Sequence, residues 1–345
     1  MSTEIFHLPI EDHKLISWHL KNFKEMYEGS EILLYGGTGF IGCWITESLV
    51  YADIELNLGL KITIVTRNIK LAKLKFSNFV NSKINFIEHN FVYSPLKIKI
   101  NSDYIFCGAT PTRNYNIMTD KQAIFSASRN SAMHASQSES SNFKSTRVIH
   151  LSSGIVYGKQ PMEMLTRSEN DIVVSGSSVY AQAKLEIDKI LNSAYNAGKI
   201  IFQSPRLFAF TGPNLQLDSH FAVGNFLLNG LRGEPIVING NPATIRSYMY
   251  PADLIKSLLS LAIQSNYINI NIGSEDSISM LQLAKLISEI TSNSEIILAN
   301  PNVEPSNYVP STRNLLDLFP DTKFIDIKGS LLKWTKWLQI KDTSL

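Results

Sequence analysis

The sequence predicts an α/β protein built on a doubly wound parallel sheet, with a smaller C-terminal lobe. Short apolar runs alternate with segments long enough for helices, and this alternation is typical of repeated strand–helix–strand units. The apolar runs that we interpret as buried strands lie at residues 31–36, 61–67, 84–90, 102–109, 147–153 and 199–207. Segments such as 40–52 and 180–197 have the length of crossover helices, which cover both faces of a parallel sheet.

Composition indicates a soluble globular protein. The chain has 345 residues, 44% of them hydrophobic, which is enough to bury the cores of one or two domains. Charged residues make up 18% and the net charge is +2, so we expect no nucleic-acid partner. Cys43 and Cys107 stand inside apolar segments without metal-ligand spacing, which favours buried thiols in a reducing compartment over a disulfide or a metal site. The opening residues are not those of a signal peptide, and no apolar run is long enough to span a membrane. We therefore expect a cytoplasmic protein.

Three regions follow from the pattern along the chain. Residues 1–30 precede the first strand and have the pattern of a helical extension, and residues 31–209 contain the predicted sheet. Residues 210–345 show a looser pattern and are expected to form mainly a substrate-binding lobe, with some segments returning to the first domain. The serine-rich segment 126–142 resembles a linker, but it stands between two core strands, so we expect a polar-faced crossover helix. A cleft between two lobes is where ligands usually bind.

A glycine-rich turn follows the first strand directly. Gly36, Gly39 and Gly42 form a GxxGxxG pattern that leads into a helix. The first glycine allows a tight turn, the second allows a pyrophosphate to approach the backbone, and the third allows the helix to pack against the strand. The alternative is a strand–helix turn without a ligand, but the order of strand, turn and helix favours a Rossmann-type dinucleotide site. The residues between these glycines that we assign to the cofactor are Thr38, Phe40 and Ile41.

The end of the second strand bears on the choice of dinucleotide. NAD sites usually have an acidic residue there, which binds the ribose 2′-hydroxyl, whereas a 2′-phosphate needs cations. The strand ends in Thr66, Arg67 and Asn68, without an acid. Arg67 could pair with a phosphate or stack on adenine, or it could be a solvated loop residue. We expect NADP(H) to be favoured, with NAD(H) possible.

A second constellation predicts hydride chemistry at a carbonyl. Tyr180 and Lys184 are four residues apart in "SSVYAQAK", so they share one face of a helix, and Ser153 stands at the end of a core strand. A tyrosine can transfer a proton to an alkoxide if nearby positive charge lowers its pKa from about 10 toward neutrality. In this interpretation Tyr180 is the acid, Lys184 supplies charge and binds the nicotinamide ribose, and Ser153 orients the substrate oxygen. The alternative, an ordinary amphipathic helix, is disfavoured because the glycine pattern precedes it.

Several motifs in order resemble those of the extended short-chain dehydrogenases/reductases, the NAD(P)-dependent epimerases, dehydratases and reductases of nucleotide sugars. They are "GGTGFIG", "CGAT", "LSSGIVYG", "YAQAK", "RLFAFTGP" and "IRSYMYPADL", spread over residues 31–320. The resemblance implies that Ser153, Tyr180 and Lys184 are the catalytic triad. Members of this family catalyse several reactions on one fold. The motifs therefore identify the family more specifically than they identify the reaction.

The resemblance also implies further cofactor residues. Asn90 and Phe91 match positions at the adenine, although Asn90 replaces the acid that is frequent there. The loop that passes the cofactor pyrophosphate is matched by Gly108, Ala109 and Thr110.

In the second lobe, Asn225 and Arg246 match positions that bind the diphosphate of the sugar nucleotide. Arg246 could bind phosphates bidentately through its guanidinium group. The alternative is that Arg246 forms a surface salt bridge. Ala209 stands where many relatives have Asn. Members of the family often pair through the helix that carries the tyrosine, so we also expect a homodimer.

The expected reaction is hydride transfer at a single sugar carbon. Nucleotide-sugar 4,6-dehydratases have an Asp–Glu pair where this chain has Gly154 and Ile155, which cannot transfer a proton. The chain looks most like the bacterial reductases that use NADPH on dTDP-4-keto-6-deoxyhexoses in O-antigen sugar pathways and make, for example, dTDP-D-fucose. A 4-epimerase with tightly bound NAD is the main alternative. A non-catalytic dinucleotide sensor would be expected to lack the tyrosine–lysine pair, and an RNA-binding relative to have a basic surface.

Overall fold

A computed structural model of the chain describes residues 6–79, 84–110, 120–174, 178–217, 221–320 and 323–342. Every residue assigned above to a site lies within these ranges. The strands are β1 (Glu31–Tyr35), β2 (Lys61–Thr66), β3 (Ile84–Glu88), β4 (Tyr104–Cys107), β5 (Thr146–His150), β6 (Ser152–Ser153), β7 (Ile200–Leu207), β8 (Ile236–Ile238), β9 (Ile245–Ser247), β10 (Asn269–Ile272), β11 (Ser277–Ser279), β12 (Ile296–Leu298) and β13 (Asn307–Tyr308). The α-helices are α1 (Ile10–Leu20), α2 (Phe40–Leu56), α3 (Ile69–Lys75), α4 (Lys121–Ala135), α5 (Val179–Asn196), α6 (Ala222–Arg232), α7 (Pro251–Ala262), α8 (Met280–Ile290), α9 (Arg313–Leu318) and α10 (Ile327–Asp342). Short 3₁₀ helices cover Lys21–Met26, Ser77–Phe79 and Gly154–Tyr157.

The main sheet confirms the predicted doubly wound architecture. Its strands follow the order β3–β2–β1–β4–β5–β7–β10, and β6 pairs with β7. The pairs β1–β2, β1–β4, β2–β3, β4–β5 and β5–β7 are all parallel. The order of the strands reverses at β1, and loops at the carboxyl ends of the strands beside such a point usually bind the ligand. Tyr35, the last residue of β1, is in register with Cys107, the last residue of β4, so the loops that follow them begin side by side.

The predicted strands all occur, but their ends differ from the apolar runs. The run 147–153 is divided, because β5 ends at His150 and the two residues of β6 pair separately with β7. The serine-rich segment 126–142 is helical only up to Ala135. Beyond that point the hydroxyl of Ser140 and the backbone N–H of Asn142 donate hydrogen bonds to the Asp103 carboxylate. Such local side-chain bonding competes with a helix, so the prediction of a helix through residue 142 was wrong.

The chain separates into two compact units. The first takes in the described residues of Met1–Gly158, Val173–Arg206 and Ile255–Ile270, and the second takes in those of Lys159–Ile172, Leu207–Leu254 and Asn271–Leu345. In the first unit, apolar residues from the strands and from α4 and α5 form one continuous core. The second unit has its own core, in which residues of α6 and α8 surround the buried Trp334 of α10. That the second unit binds the substrate stays a prediction.

Residues 6–30 belong to the first unit and pack against α2 and the sheet. The carboxylate of Glu47 on α2 accepts hydrogen bonds from the backbone N–H groups of His7 and Leu8, both at 3.1 Å. Further along, the ring of Tyr27 stacks on that of Tyr104 in β4, with 4.7 Å between their centroids. The phenol of Tyr104 donates to the carbonyl oxygen of Met26 at 2.5 Å. The N-terminal extension is therefore attached by buried polar contacts as well as by apolar packing.

Candidate active site

The glycine turn lies at the point where the strand order reverses. Gly36 has a φ angle of +79°, in the region that favours glycine, and a β-carbon there would lie 2.8 Å from the carbonyl oxygen of Gly108. A β-carbon on Gly42 would lie 2.2 Å from the carbonyl oxygen of Gly36, a distance too short for any residue other than glycine. The third glycine thus allows α2 to start directly against the turn, as the sequence predicts.

Gly39 has a different role in the same turn. A β-carbon at this position would meet one atom, the carbonyl oxygen of Gly36 at 3.3 Å. Gly39 is the N-cap of α2, and the first intrahelical hydrogen bond runs from Cys43 N–H to its carbonyl oxygen. The N–H groups of the preceding residues, Phe40, Ile41 and Gly42, have no carbonyl partner within the helix. Free N–H groups at the positive end of a helix suit a pyrophosphate, so the turn fits a dinucleotide.

The loop after β4 runs beside this turn. Gly108 N–H donates to the carbonyl oxygen of Tyr35 at 3.1 Å, which continues the pairing of the two strands beyond their ends. The hydroxyls of Thr110 and of Ser128, on α4, are 3.2 Å apart. The structure therefore brings the predicted loop residues Gly108, Ala109 and Thr110 to the glycine turn.

A basic side chain, Arg67, follows β2, and a lysine from α3 lies at the glycine turn itself. Arg67 is exposed directly after β2, and the Asn68 side chain accepts a hydrogen bond from Leu71 N–H at 3.0 Å, so that it caps α3. At the other end of α3, the ammonium of Lys75 donates to the carbonyl oxygen of Thr38 at 3.2 Å. Sequence reasoning missed Lys75, because no motif marks it and its place depends on how α3 packs.

The residues predicted at the adenine are both engaged in local contacts. Asn90 accepts a hydrogen bond from Val92 N–H at 3.1 Å, which forms a short turn after β3. Phe91 is buried, and its ring lies 4.9 Å from the rings of both Tyr35 and His89. Phe91 is thus a residue of the core below the glycine turn, and its contact with adenine stays a prediction.

The predicted catalytic residues lie on elements that adjoin one another. Ser153 ends β6, and its hydroxyl accepts a hydrogen bond from Ile155 N–H at 3.3 Å. Helix α5 begins after its N-cap, Ser178, and places Tyr180 in its first turn and Lys184 one turn later. The ammonium of Lys184 donates to the carbonyl oxygen of Leu151 at 2.6 Å, between β5 and β6, and lies 5.4 Å from the centroid of the Tyr180 ring.

Burial sets the protonation of this pair. It raises the pKa of Tyr180 to about 12. It lowers the pKa of Lys184 to about 8, although Cys107 and Asp188 act in the opposite direction. Because this pKa is only slightly above neutral pH, the Lys184 side chain is mostly charged at pH 7. Tyr180 has a raised pKa, so it needs nearby positive charge to work as a base.

The predicted diphosphate residues both belong to the second unit. Asn225 lies in α6, and its backbone N–H donates to the carbonyl oxygen of Phe221 at 3.2 Å. Arg246 lies in β9, and its guanidinium donates to the carbonyl oxygens of Ile245 at 2.8 Å and Ser306 at 2.9 Å. These contacts hold the Arg246 side chain in place, and phosphate binding by either residue stays a prediction.

Within the part of the chain that the structure describes, no cluster of three or more His, Cys, Asp or Glu side chains could hold a metal ion. None of the helices in the same residues has the length and apolar character needed to cross a bilayer.

The Rossmann-type sheet and the glycine turn define a dinucleotide-binding α/β protein. The chain belongs to the NAD dependent epimerase/dehydratase family, whose model matches residues 32–273. It is 24% identical over 276 residues to UDP-glucuronic acid decarboxylase 1 of Arabidopsis thaliana, a match that covers 79% of this chain and 60% of that protein. The chain thus spans about 60% of the length of this curated relative.

Solved structures of epimerases have the same fold. The UDP-N-acetylglucosamine 4-epimerase of Methanobrevibacter ruminantium, in complex with UDP-N-acetylmuramic acid, is 22% identical with a TM-score of 0.73, over 91% of this chain and 99% of that one. The UDP-glucuronic acid 4-epimerase of Bacillus cereus, in complex with NAD, is 18% identical with a TM-score of 0.72, over 90% and 99% of the two chains. At this level of identity the likeness concerns the fold.

Proposed function

We propose that the chain is a nucleotide-sugar 4-epimerase that works with a bound NAD(H). The observation that carries the proposal is the approach of the Lys184 ammonium to the Tyr180 ring and to the Leu151 backbone directly before β6, in a member of this family. The relatives named above act on UDP-sugars according to their names, and two of them are 4-epimerases. A UDP-sugar is therefore the first substrate class to test, ahead of the dTDP-sugars expected from the sequence.

The residues of the chain have separate tasks in this reaction. When bound, the nicotinamide cofactor would supply reversible hydride chemistry at C4 of the sugar. Tyr180 takes the proton of the C4 hydroxyl and gives it back after the sugar has turned. Lys184 stabilises the phenolate through its charge, and the Ser153 hydroxyl donates a hydrogen bond to the same sugar oxygen. The glycine turn and the start of α2 hold the pyrophosphate.

Residues 154 and 155 bear on the choice among the reactions of the family. Gly154 and Ile155 lie in the 3₁₀ helix after Ser153, and neither can move a proton. A 4,6-dehydration, which needs an acid and a base beside C5 and C6, is therefore disfavoured. Decarboxylation of a uronic acid makes no such demand, since a C4 ketone is β to the C6 carboxylate and favours loss of CO₂.

A second candidate is the NADPH-dependent reduction of a dTDP-4-keto-6-deoxyhexose to a dTDP-6-deoxyhexose. The observation in its favour is a pair of cations, the exposed Arg67 directly after β2 and the Lys75 ammonium at Thr38 in the glycine turn. A reductase needs a cofactor that exchanges at each turnover, and a ribose 2′-phosphate is bound by cations of this kind.

The absorbance spectrum of the purified protein separates the two candidates. An epimerase should retain cofactor through gel filtration, and perchloric acid should release NAD. The protein should then interconvert UDP-glucose with UDP-galactose, or the corresponding N-acetyl or uronic acid pair, without added cofactor. Release of CO₂ from UDP-glucuronic acid would indicate decarboxylation instead. A protein that is free of cofactor and oxidises NADPH with 4-keto sugars would contradict the epimerase proposal and support the reductase.

A further inference from the structure

Asp188 lies on α5, one helical turn beyond the predicted catalytic residue Lys184. Tyr180, Lys184 and Asp188 are spaced four residues apart, so their side chains leave the helix on one side. Lys184 is only 3% exposed, and its ammonium donates a hydrogen bond to the carbonyl oxygen of Leu151, which carries no net charge. A buried ammonium costs free energy unless an opposite charge compensates it. The surroundings of Lys184 therefore have to supply that charge.

Three groups from different elements face Lys184. Burial raises the pKa of the Cys107 thiol, on β4, to about 11, so the thiol is neutral. Burial and the charge of Lys184 hold the pKa of His150, on β5, well below 6.5, so this imidazole is neutral too. Asp188 is the member of the three that carries a negative charge near neutral pH. Its charge therefore favours the ammonium form of Lys184.

The carboxylate of Asp188 is held from two neighbouring strands. The hydroxyl of Ser204, on β7, donates a hydrogen bond to Asp188 Oδ1. His150 Nε2 lies 3.9 Å from the same oxygen. The Asp188 carboxylate therefore lies against β5 and β7, and the Ser204 hydrogen bond orients it.

Two charged or titratable groups also face Asp188 from β7 and beyond it. Burial raises the pKa of Asp188 to about 6, whereas the Ser204 hydrogen bond, the Arg206 guanidinium and Lys184 oppose this effect. Arg206 is itself oriented by the phenol of Tyr157, to which it donates at 2.6 Å. The phenol of Tyr267 faces Asp188 as well, and burial together with the Asp188 charge raises its pKa. Asp188 is thus ionised from about pH 6 upward, where the proposed reaction needs a charged Lys184.

We propose that Asp188 is a positioning residue, which acts through Lys184 by keeping that side chain charged. The inference rests on the proposed function, in which the Lys184 charge stabilises the Tyr180 phenolate. Asp188 contacts neither substrate nor cofactor in this proposal. Its effect reaches the reaction through the protonation of Lys184.

The variant Asp188→Asn removes the charge and keeps a side chain of the same shape that accepts from Ser204. Without the charge the pKa of Lys184 falls below about 8, so the alkaline limb of kcat against pH moves to lower pH. A displacement of one pH unit makes kcat about 5-fold smaller at pH 8, where the wild-type lysine is half charged, with a smaller loss near pH 6.5. The KM for the sugar nucleotide should change little, because the substrate does not contact Asp188.

Two variants control for general damage to the helix. Asp188→Glu keeps the charge and should restore the alkaline limb toward that of the wild type. Glu186→Gln removes a carboxylate from the same helix, two residues away on another side, and should leave the pH profile unchanged. If Asp188→Asn does not fold, Ser204→Ala takes its place, since loss of the Ser204 donor disfavours the ionised carboxylate and should displace the limb in the same direction.

A direct titration separates this inference from the proposed function. Lysine ε-carbons labelled with ¹³C report the pKa of Lys184 by NMR, with Lys184→Met to assign the signal, whether or not the protein turns over a sugar. A lower Lys184 pKa in Asp188→Asn than in the wild type supports the inference, even if the substrate class proves wrong. An identical titration in the two proteins would overturn it, even if the epimerase activity were found.

Discussion

The ammonium of Lys184 lies 5.4 Å from the centre of the Tyr180 ring while it donates to the carbonyl oxygen of Leu151. The side chain is therefore positioned by the backbone between β5 and β6 and by the helix that it shares with the tyrosine. Since the ring of Tyr180 does not depend on its hydroxyl for this packing, Tyr180→Phe should fold and bind the cofactor as the wild type does. Its turnover should fall by roughly 100-fold or more, the usual contribution of a positioned acid or base. Turnover of a nucleotide sugar at nearly the wild-type rate would show that the proton comes from another group.

Lys184→Met should impair cofactor binding and turnover together. Methionine fills a similar volume but supplies neither a charge for the phenolate nor a donor for the nicotinamide ribose. Fluorescence titration with NAD(H) and steady-state kinetics measure the two effects separately. Ser153→Ala is the matched comparison: it should lower kcat and leave cofactor affinity near that of the wild type. A Lys184→Met protein that lost turnover alone would contradict the predicted contact with the ribose.

The cations near the end of β2 should matter for a 2′-phosphate and little otherwise. Arg67→Ala and Lys75→Ala should each weaken the binding of NADPH more than that of NADH, because only NADPH has this phosphate. Lys73→Ala removes an exposed lysine from the same helix and should affect both cofactors equally. Isothermal titration calorimetry at two salt concentrations provides the comparison. Equal losses for NADPH and NADH in Arg67→Ala would show that this side chain stacks on the adenine or stays in solvent.

Gly42→Ala should abolish the dinucleotide site. The new β-carbon would lie 2.2 Å from the carbonyl oxygen of Gly36, so α2 would have to move away from the turn. Gly240→Ala is the matched control, because a β-carbon there meets no atom within 4 Å. We expect no measurable cofactor binding and a lower melting temperature for Gly42→Ala, and wild-type values for Gly240→Ala. Cofactor affinity within a few-fold of the wild type in Gly42→Ala would contradict the close packing described above.

The buried carboxylate of Glu47 should stabilise the protein in a defined pH range. Burial alone would raise its pKa, but His13, His7 and the Leu8 N–H lower the pKa from 4.5 to about 2. A carboxylate with a lowered pKa contributes its stability above its unfolded pKa and loses it as the pH falls toward its folded pKa. The contribution should thus be complete above about pH 5 and disappear toward pH 2, and its size is of the order of 3 kcal/mol.

Urea denaturation of Glu47→Gln and of the wild type at several pH values measures this effect. The difference in the free energy of unfolding should be largest at pH 6 and should shrink toward pH 2. Glu11→Gln, an exposed glutamate paired with Lys14 on α1, is the control and should change stability by well under 1 kcal/mol. A difference for Glu47→Gln that does not vary with pH would show that the carboxylate acts through its shape alone.

The sequence predicted the features that depend on local pattern. Apolar runs located the main strands, and the glycine spacing located the turn, because both reflect constraints within a few residues. The division of the run 147–153 into β5 and β6 was not predicted, since both strands pair with β7, which lies far along the chain, and the break between them is not marked in the local pattern. Lys75 reaches Thr38 only through the packing of α3, and the role that we propose for Asp188 depends on Ser204 and on the neutral groups around Lys184. Such relationships need the folded coordinates of several elements at once.

The repeat of helix α5 determines the spacing of the predicted catalytic residues that lie on it. Tyr180, Lys184 and Asp188 are aligned by the helical repeat, so a single inserted residue between Tyr180 and Lys184 would rotate everything beyond it by about 100° and displace it by ~1.5 Å along the axis. An insertion or deletion between Tyr180 and Asp188 would therefore destroy this alignment, whereas a substitution would keep it. Insertions in the loops at the carboxyl edge of the sheet, by contrast, leave this spacing unchanged.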